Sequence, residues 1–355
     1  MVTETLVHIL RDNYTEAKIR GKKSFLLERQ QLSSLAEFRS QSEILGFLAD
    51  GPYGPELSKL QESSSPVETE RAVRMGFARS VRNLLASAKG NVRDFLTEYE
   101  RRFDAYDLAT LLIYKSQGRS LEEYLPTRQP LSGRSEKEVR RLYSHDDPLD
   151  VLEGVGDEVL LSRVKGLSFE EMTTDRASLV RDILNGWGEE RFFNYVGRRL
   201  RGRDRTSCFP IVGTSVDLLN LSVILRSKLI GISSIRDHLV QARWRLSEKA
   251  LSHVLLAEDL AMSLDRVSTV RPYRSLLSDV RQRYEESKSL SFLELALRKH
   301  VVDVSRDVLL KFPYSMGIVL AFLTLKENEA RNIAAVVSGV GAGLRPETIR
   351  PIIVS

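Results

Sequence analysis

The stretch 216–231, VDLLNLSVILRSKLIG, sets Asp217 three residues before Asn220, places Leu221, Ile224 and Leu225 at offsets 4, 7 and 8 from the acid, and ends on Gly231. Offsets of that kind fall on one stripe of an α-helix. The pattern is written twice more. Asp104, Asp107 and Gly118 repeat it with Leu108, Leu111 and Leu112, and Glu329, Asn332 and Gly343 repeat it with Ile333, Val336 and Val337. The three acids are spaced 113 and 112 residues apart. A chain that writes one helix three times at a near-constant interval is a three-part body, and its function belongs to the whole.

Other segments also follow a 3.6-residue period, as in Phe95, Leu96, Tyr99 and Phe103 or Leu293, Ala296, Leu297 and Val301, with few strand-like runs. The fold class is all-α. Each motif glycine suits the left-handed residue that ends a helix. A new helix start then follows at Ser120, Ser234 or Pro346. The expected divisions are residues 1–126, 127–241 and 242–355, each near the common domain size. Pro126–Ser135 has linker composition. Weaker echoes upstream of the motifs, 51–54, 165–168 and 270–273, read as breaks between helices.

The 355 residues carry 53 basic and 48 acidic side chains, so the net charge of +5 is a mild excess. It suits a phospholipid or an acidic protein surface and does not compel a nucleic-acid partner. Cys208 is the sole cysteine, which excludes an internal disulfide and a thiolate zinc cluster and fits a reducing, cytoplasmic setting. Met1–Arg11 lacks the form of a secretory signal. The longest apolar run, Met316–Leu325, is half the roughly 20 residues a membrane-spanning helix needs, and reads as a core helix.

Candidate sites each have two readings. The acid and amide of the motif lie on one helical face. As ligands, two per helix fall short of the six to eight oxygens calcium takes, so they are expected to satisfy neighbouring backbone and fix packing. Gly339, Gly341 and Gly343 resemble a phosphate loop but end a helix where such a loop opens one. Arg198, Arg199, Arg201, Arg203 and Arg205 form the densest basic segment, either a solvated face or a contact for an acidic protein or lipid headgroups; no aromatics interleave it for base stacking. His8, His145, His238, His253 and His300 are scattered without metal-ligand spacing. Glu189 and Glu190 follow Gly186-Trp187-Gly188, read as a solvated turn, and Cys208 reads as packed. No metal, cofactor or catalytic residue is expected.

Several stretches resemble the C subunit of archaeal-type ATP synthases, the counterpart of the d subunit of vacuolar ATPases. They are Val216–Gly231, Tyr14–Leu27 (YTEAKIRGKKSFLL) and Tyr314–Ile349, above all Lys326–Ile333 (KENEARNI) followed by a Pro-Glu-x-Ile helix start. Asp107 departs from the family's usual Asn, and Gly51-Pro52-Tyr53 from its Thr-x-Tyr turn. The resemblance implies a funnel-shaped helical subunit with threefold pseudo-symmetry and no catalysis of its own. Such a protein sits peripherally on the cytoplasmic side of the membrane, joins the rotor ring of proteolipid subunits to the central shaft, and transmits torque between proton or sodium transport and ATP chemistry. The competing expectation is a helical nucleic-acid-binding scaffold using the arginine-rich segment.

Overall fold

The computed structural model describes residues 19, 21, 26–61, 64–232, 234–271, 273–287 and 290–355. Met1–Arg11 and most of Tyr14–Leu27 therefore lie outside the described residues. Among those described, every regular element is helical.

Six long helices carry the fold: α1 Pro66–Ser87, α2 Gly90–Ser116, α3 Thr174–Arg199, α4 Gly202–Leu229, α5 Ser291–Lys311 and α6 Met316–Gly341. They come in consecutive pairs, and shorter helices precede each pair; the nearest three lead directly into it. Those are Arg29–Leu35, Gln41–Ala49 and Gly54–Leu57 before α1, then Glu136–Tyr143, Pro148–Val155 and Glu158–Val164 before α3, then Glu248–Leu255, Leu260–Val267 and Arg274–Ser287 before α5.

Local chemistry sets the ends of these helices. Ser65 opens α1 by accepting the Glu68 N–H, while the Glu68 carboxylate accepts the Ser65 N–H, a reciprocal capping box. Ser120 and Glu123 do the same for the helix Leu121–Tyr124. Ser234 does not open the second such helix: Ile235 stands at its N-cap and the element is one 3₁₀ turn, Arg236–His238. Pro346 is the first residue of the third, Pro346–Ile349. The Ser315 side chain leaves α6 uncapped; the Asp204 carboxylate accepts the Met316 N–H at 2.8 Å in its place.

The chain divides into two compact units, one of Met1–Thr97, Arg201–Ile211 and Val301–Ser355, the other of Glu98–Leu200 and Val212–His300. In the first, α6 lies along α1 so closely that a Cβ on Gly341 would come within 2.6 Å of the Pro66 ring. The N-terminal helices Arg29–Leu35 and Gln41–Ala49 also pack on α6, and Met316–Leu325 is buried apart from Thr324. In the second, Gly186-Trp187-Gly188 is interior to α3 and forms no turn. Its glycines admit close neighbours: a Cβ on Gly188 would meet Ala105 Cβ at 2.8 Å, and one on Gly186 would meet Val240 Cγ2 at the same distance. Glu189 and Glu190 are accordingly not solvated. Glu189 is buried against the Arg102 guanidinium and the Tyr106 hydroxyl, and Glu190 pairs with Arg163 and accepts the Ala242 N–H. A turn-like composition is overridden here because glycine serves helix contact as readily as chain reversal.

By length and composition α4 is the one described helix that passes for a membrane span, with 83% of its most apolar window buried inside the chain. Its apolar residues are interrupted by Ser, Thr and Asn, so no continuous run in the sequence marks it.

Candidate functional site

The motif residues build three stations of the same kind, one at the C-terminal half of each of α2, α4 and α6. Each helix ends on its motif glycine with positive φ: 66° at Gly118, 75° at Gly231 and 70° at Gly343. The closing bonds match. Arg119, Ile232 and Leu344 donate their N–H to the carbonyls of Tyr114, Ser227 and Gly339, five residues back, and each glycine N–H donates three residues back. This is the double bond pattern of a left-handed helix stop. Gly339 and Gly341 are small for another reason, close approach to Ile349 and Pro66. The glycine string is a helix end and a packing surface.

After each stop the chain folds back and its backbone is tied onto the motif side chains. Asn220 grips Val240 from both sides, donating to its carbonyl at 3.0 Å and accepting its N–H at 2.8 Å. Asn332 grips Val354 in the same way, at 2.7 Å and 3.0 Å. Asp107 lacks the donor. It accepts the Gln129 N–H at 2.9 Å, and Arg128 pairs with its second oxygen. The departure from Asn is thus balanced by a neighbouring cation.

The acids take the next stretch of backbone. Asp217 accepts three successive N–H groups, from Trp244, Arg245 and Leu246, at 2.7 to 2.9 Å, and the Tyr273 hydroxyl at 2.8 Å. Asp104 accepts the Gly133 N–H and the Ser132 hydroxyl, while Arg134 donates to the Asp104 carbonyl. Pro126–Ser135, linker-like in composition, is therefore a bound strap. Glu329 finds two partners at the other end of the chain, accepting the Leu27 N–H and the Tyr53 hydroxyl, and a third on its own helix, the ammonium of Lys326. Lys326 Nζ lies 4.2 Å from the centre of the Tyr53 ring.

Burial and adjacent carboxylates raise the pKa of three tyrosines: Tyr53 beside Glu329, Tyr124 beside Asp107 and Tyr273 beside Asp217. Burial lowers that of Lys326, against the pull of Glu329. The stations therefore hold neutral phenols, Tyr53 and Tyr273 donating to carboxylates and Tyr124 to the Asp107 backbone carbonyl, an arrangement that fixes positions. Every motif carboxylate is already engaged by donors of the chain. No group of three or more His, Cys, Asp or Glu side chains placed to hold a metal occurs among the described residues.

Arg198 and Arg199 end α3, Arg201 lies in the connection, and Arg203 and Arg205 lie in the first turns of α4; all five are exposed. Asp204, the acid within that run, is occupied by the start of α6. Cys208 is buried, which pushes its thiol pKa well above the ordinary value.

Tyr53, Tyr273, Lys326 and the straps belong to the stations although the motif itself does not mark them. The tyrosines do carry a signal, since both lie in the weak echoes. Those echoes serve a different acid from the one each precedes: Tyr273 binds Asp217, 56 residues before it, and Tyr53 binds Glu329.

Comparison with known proteins finds relatives along nearly the whole chain. The C subunit of the A-type ATP synthase of Methanocaldococcus jannaschii is 25% identical over 363 residues, covering 100% of this chain and 89% of the relative. That of Pyrococcus furiosus is 25% identical, covering 96% and 90%, and that of Methanothermobacter thermautotrophicus 25% identical, covering 91% and 82%. The family model described as ATP synthase (C/AC39) subunit matches residues 15–352, and the chain belongs to that family.

Proposed function

We propose that this chain is the non-catalytic coupling subunit of a rotary A-type ATP synthase or ATPase, seated peripherally on the cytoplasmic side of the membrane. It links the rotor ring of proteolipid subunits to the central shaft and carries torque between ion transport and ATP synthesis or hydrolysis. The observation that supports this reading most is the family match from residue 15 to residue 352. The stations add a physical reason. A part that transmits torque must not yield, and close-packed helices with low compressibility resist twist. The acids and amides at the stations tie the returning segments of chain to the long helices. In this reading residues 1–126, 127–241 and 242–355 form three like helical thirds around an axis, giving a funnel whose rim meets a circular partner and whose centre takes a single rod.

Removing the chain from the assembled complex and adding it back tests the role. Without it, ATP hydrolysis should persist while ATP-driven ion pumping is lost, and the full chain should restore pumping. Pumping that is unchanged in its absence rejects the coupling role.

A further inference from the structure

The connections between the paired long helices each turn at a residue of left-handed backbone. Gly90, Gly202 and Tyr314 follow one another at intervals of 112 residues, and their φ values are 53°, 50° and 58°. Glycine enters that region freely, whereas a bulky side chain there is a genuine outlier. Among the described residues only Glu171 joins Tyr314 as a non-glycine of positive φ. Strained residues of this kind cluster at contact and ligand sites. Burial does not account for Tyr314, which is 63% exposed, and Leu310 on the last turn of α5 is 72% exposed.

The same corner lies against a basic segment. Asp204 accepts the Met316 N–H and Ser207 accepts the Gly317 N–H, so the residues that follow Tyr314 are seated on the first turns of α4. Arg203 and Arg205 flank Asp204, Arg201 precedes them, and all three are exposed. Of the acids on these segments, Asp204 is engaged by the corner itself and Asp307 pairs with Lys311. Arg205 lies over the Phe209 ring, and neither it nor Arg203 has an ion-pair partner among the described residues. The corner therefore joins an excess of positive charge to a projecting phenol and a projecting aliphatic group.

That combination matches phospholipid. A phosphodiester takes the guanidinium fork in two hydrogen bonds. The headgroup layer of a bilayer also receives phenol and aliphatic groups that stand out from a surface, without the pockets a protein partner would have to supply for them. We propose that this corner is a contact site for an anionic phospholipid surface. Arg201, Arg203 and Arg205 bind headgroup phosphates while Tyr314 and Leu310 enter the headgroup layer. The proposal goes beyond the coupling role and is tested without the rest of the complex, so its failure leaves that role standing.

Co-sedimentation of the purified full chain with vesicles is the test. Vesicles of phosphatidylcholine and phosphatidylglycerol in equal parts should carry the chain down, and phosphatidylcholine alone should not. Each arginine at such a surface strengthens binding about fivefold, so Arg203→Ala combined with Arg205→Ala should weaken it by roughly tenfold or more. Tyr314→Gly should also weaken binding while the unfolding midpoint holds or rises, because glycine relieves the backbone. Arg203 and Arg205 are exposed, so their variant folds and decides the question whatever the tyrosine variant does. Equal binding to phosphatidylcholine alone, or parental binding by the arginine variant, overturns the proposal. Capture by soluble polyglutamate with no vesicle binding would assign the corner to an acidic protein and equally end it.

Discussion

Asn220 serves a single strap residue twice, and the residue it serves, Val240, is itself buried. Asn220→Leu strands a buried N–H and a buried C=O, each costing about 1–3 kcal/mol, so a loss of roughly 2–6 kcal/mol is expected in urea unfolding. An unchanged midpoint would remove the amide from the list of structural ties. The tyrosines make a second expectation with a definite sign. Their folded pKa values lie above the ordinary 10.0, so their contribution is complete below pH 10 and is lost as pH rises through the folded values. Lys326 acts oppositely, since its depressed folded pKa adds stability as pH climbs toward 10.5 and nothing further above that. Beyond pH 10.5 these tyrosines and the buried Cys208 thiol set the slope, about 1.4 kcal/mol per pH unit for each. Tyr124→Phe or Tyr273→Phe should flatten the alkaline loss; a slope identical to that of the parent contradicts the assignment. At this scale the sequence exposes the anchors but not their partners. Asp104, Asp217 and Glu329 recur at fixed spacing, whereas their donors are mostly backbone N–H groups, which every residue but proline carries and which leave no mark in composition.

Elements are legible where periodicity and punctuation agree. The motif helices stop at Gly118, Gly231 and Gly343 with almost the same φ, and Ser120 and Pro346 stand at the starts that follow. Legibility fails where one residue type serves two purposes. Gly186 and Gly188 have the composition of a turn, yet they thin a long helix at a crowded crossing. The two uses of glycine predict different penalties. Gly231→Ala forces a side chain into the left-handed region and should cost about 1 kcal/mol. Gly213→Leu, whose Cβ would lie 2.3 Å from the Trp244 ring, should cost about 1–3 kcal/mol or more through overpacking. Thermal unfolding separates the two, and equal melting temperatures would undo the distinction. Pro126–Ser135 follows the same logic, because Pro, Ser and Gly describe an irregular backbone and say nothing about whether it is bound.

For the whole molecule, the decisive feature is that the last motif helix is completed by residues from the first fifth of the chain. Glu329 holds Leu27 and Tyr53, Arg350 pairs with Glu37, and Ser338 donates to Glu70. Glu329→Gln leaves the Lys326 ammonium buried without its counter-charge, an expected loss of about 3–5 kcal/mol. Lys326→Met in the same chain should recover much of it. Hydrogen exchange should locate the damage in 29–57 as well as in α6, and protection unchanged in 29–57 would show that the two ends are held together by other means. The arginine run belongs to this scale too, since all five side chains are exposed. If it meets an acidic shaft or lipid headgroups, added salt should weaken that contact; affinity indifferent to salt takes the segment out of the interface. The tie between the two ends also fixes an order of events during biosynthesis. The helices at 29–49 leave the ribosome hundreds of residues before their seat on α6 is translated, so the nascent protein must carry that apolar surface uncovered until the last long helix emerges.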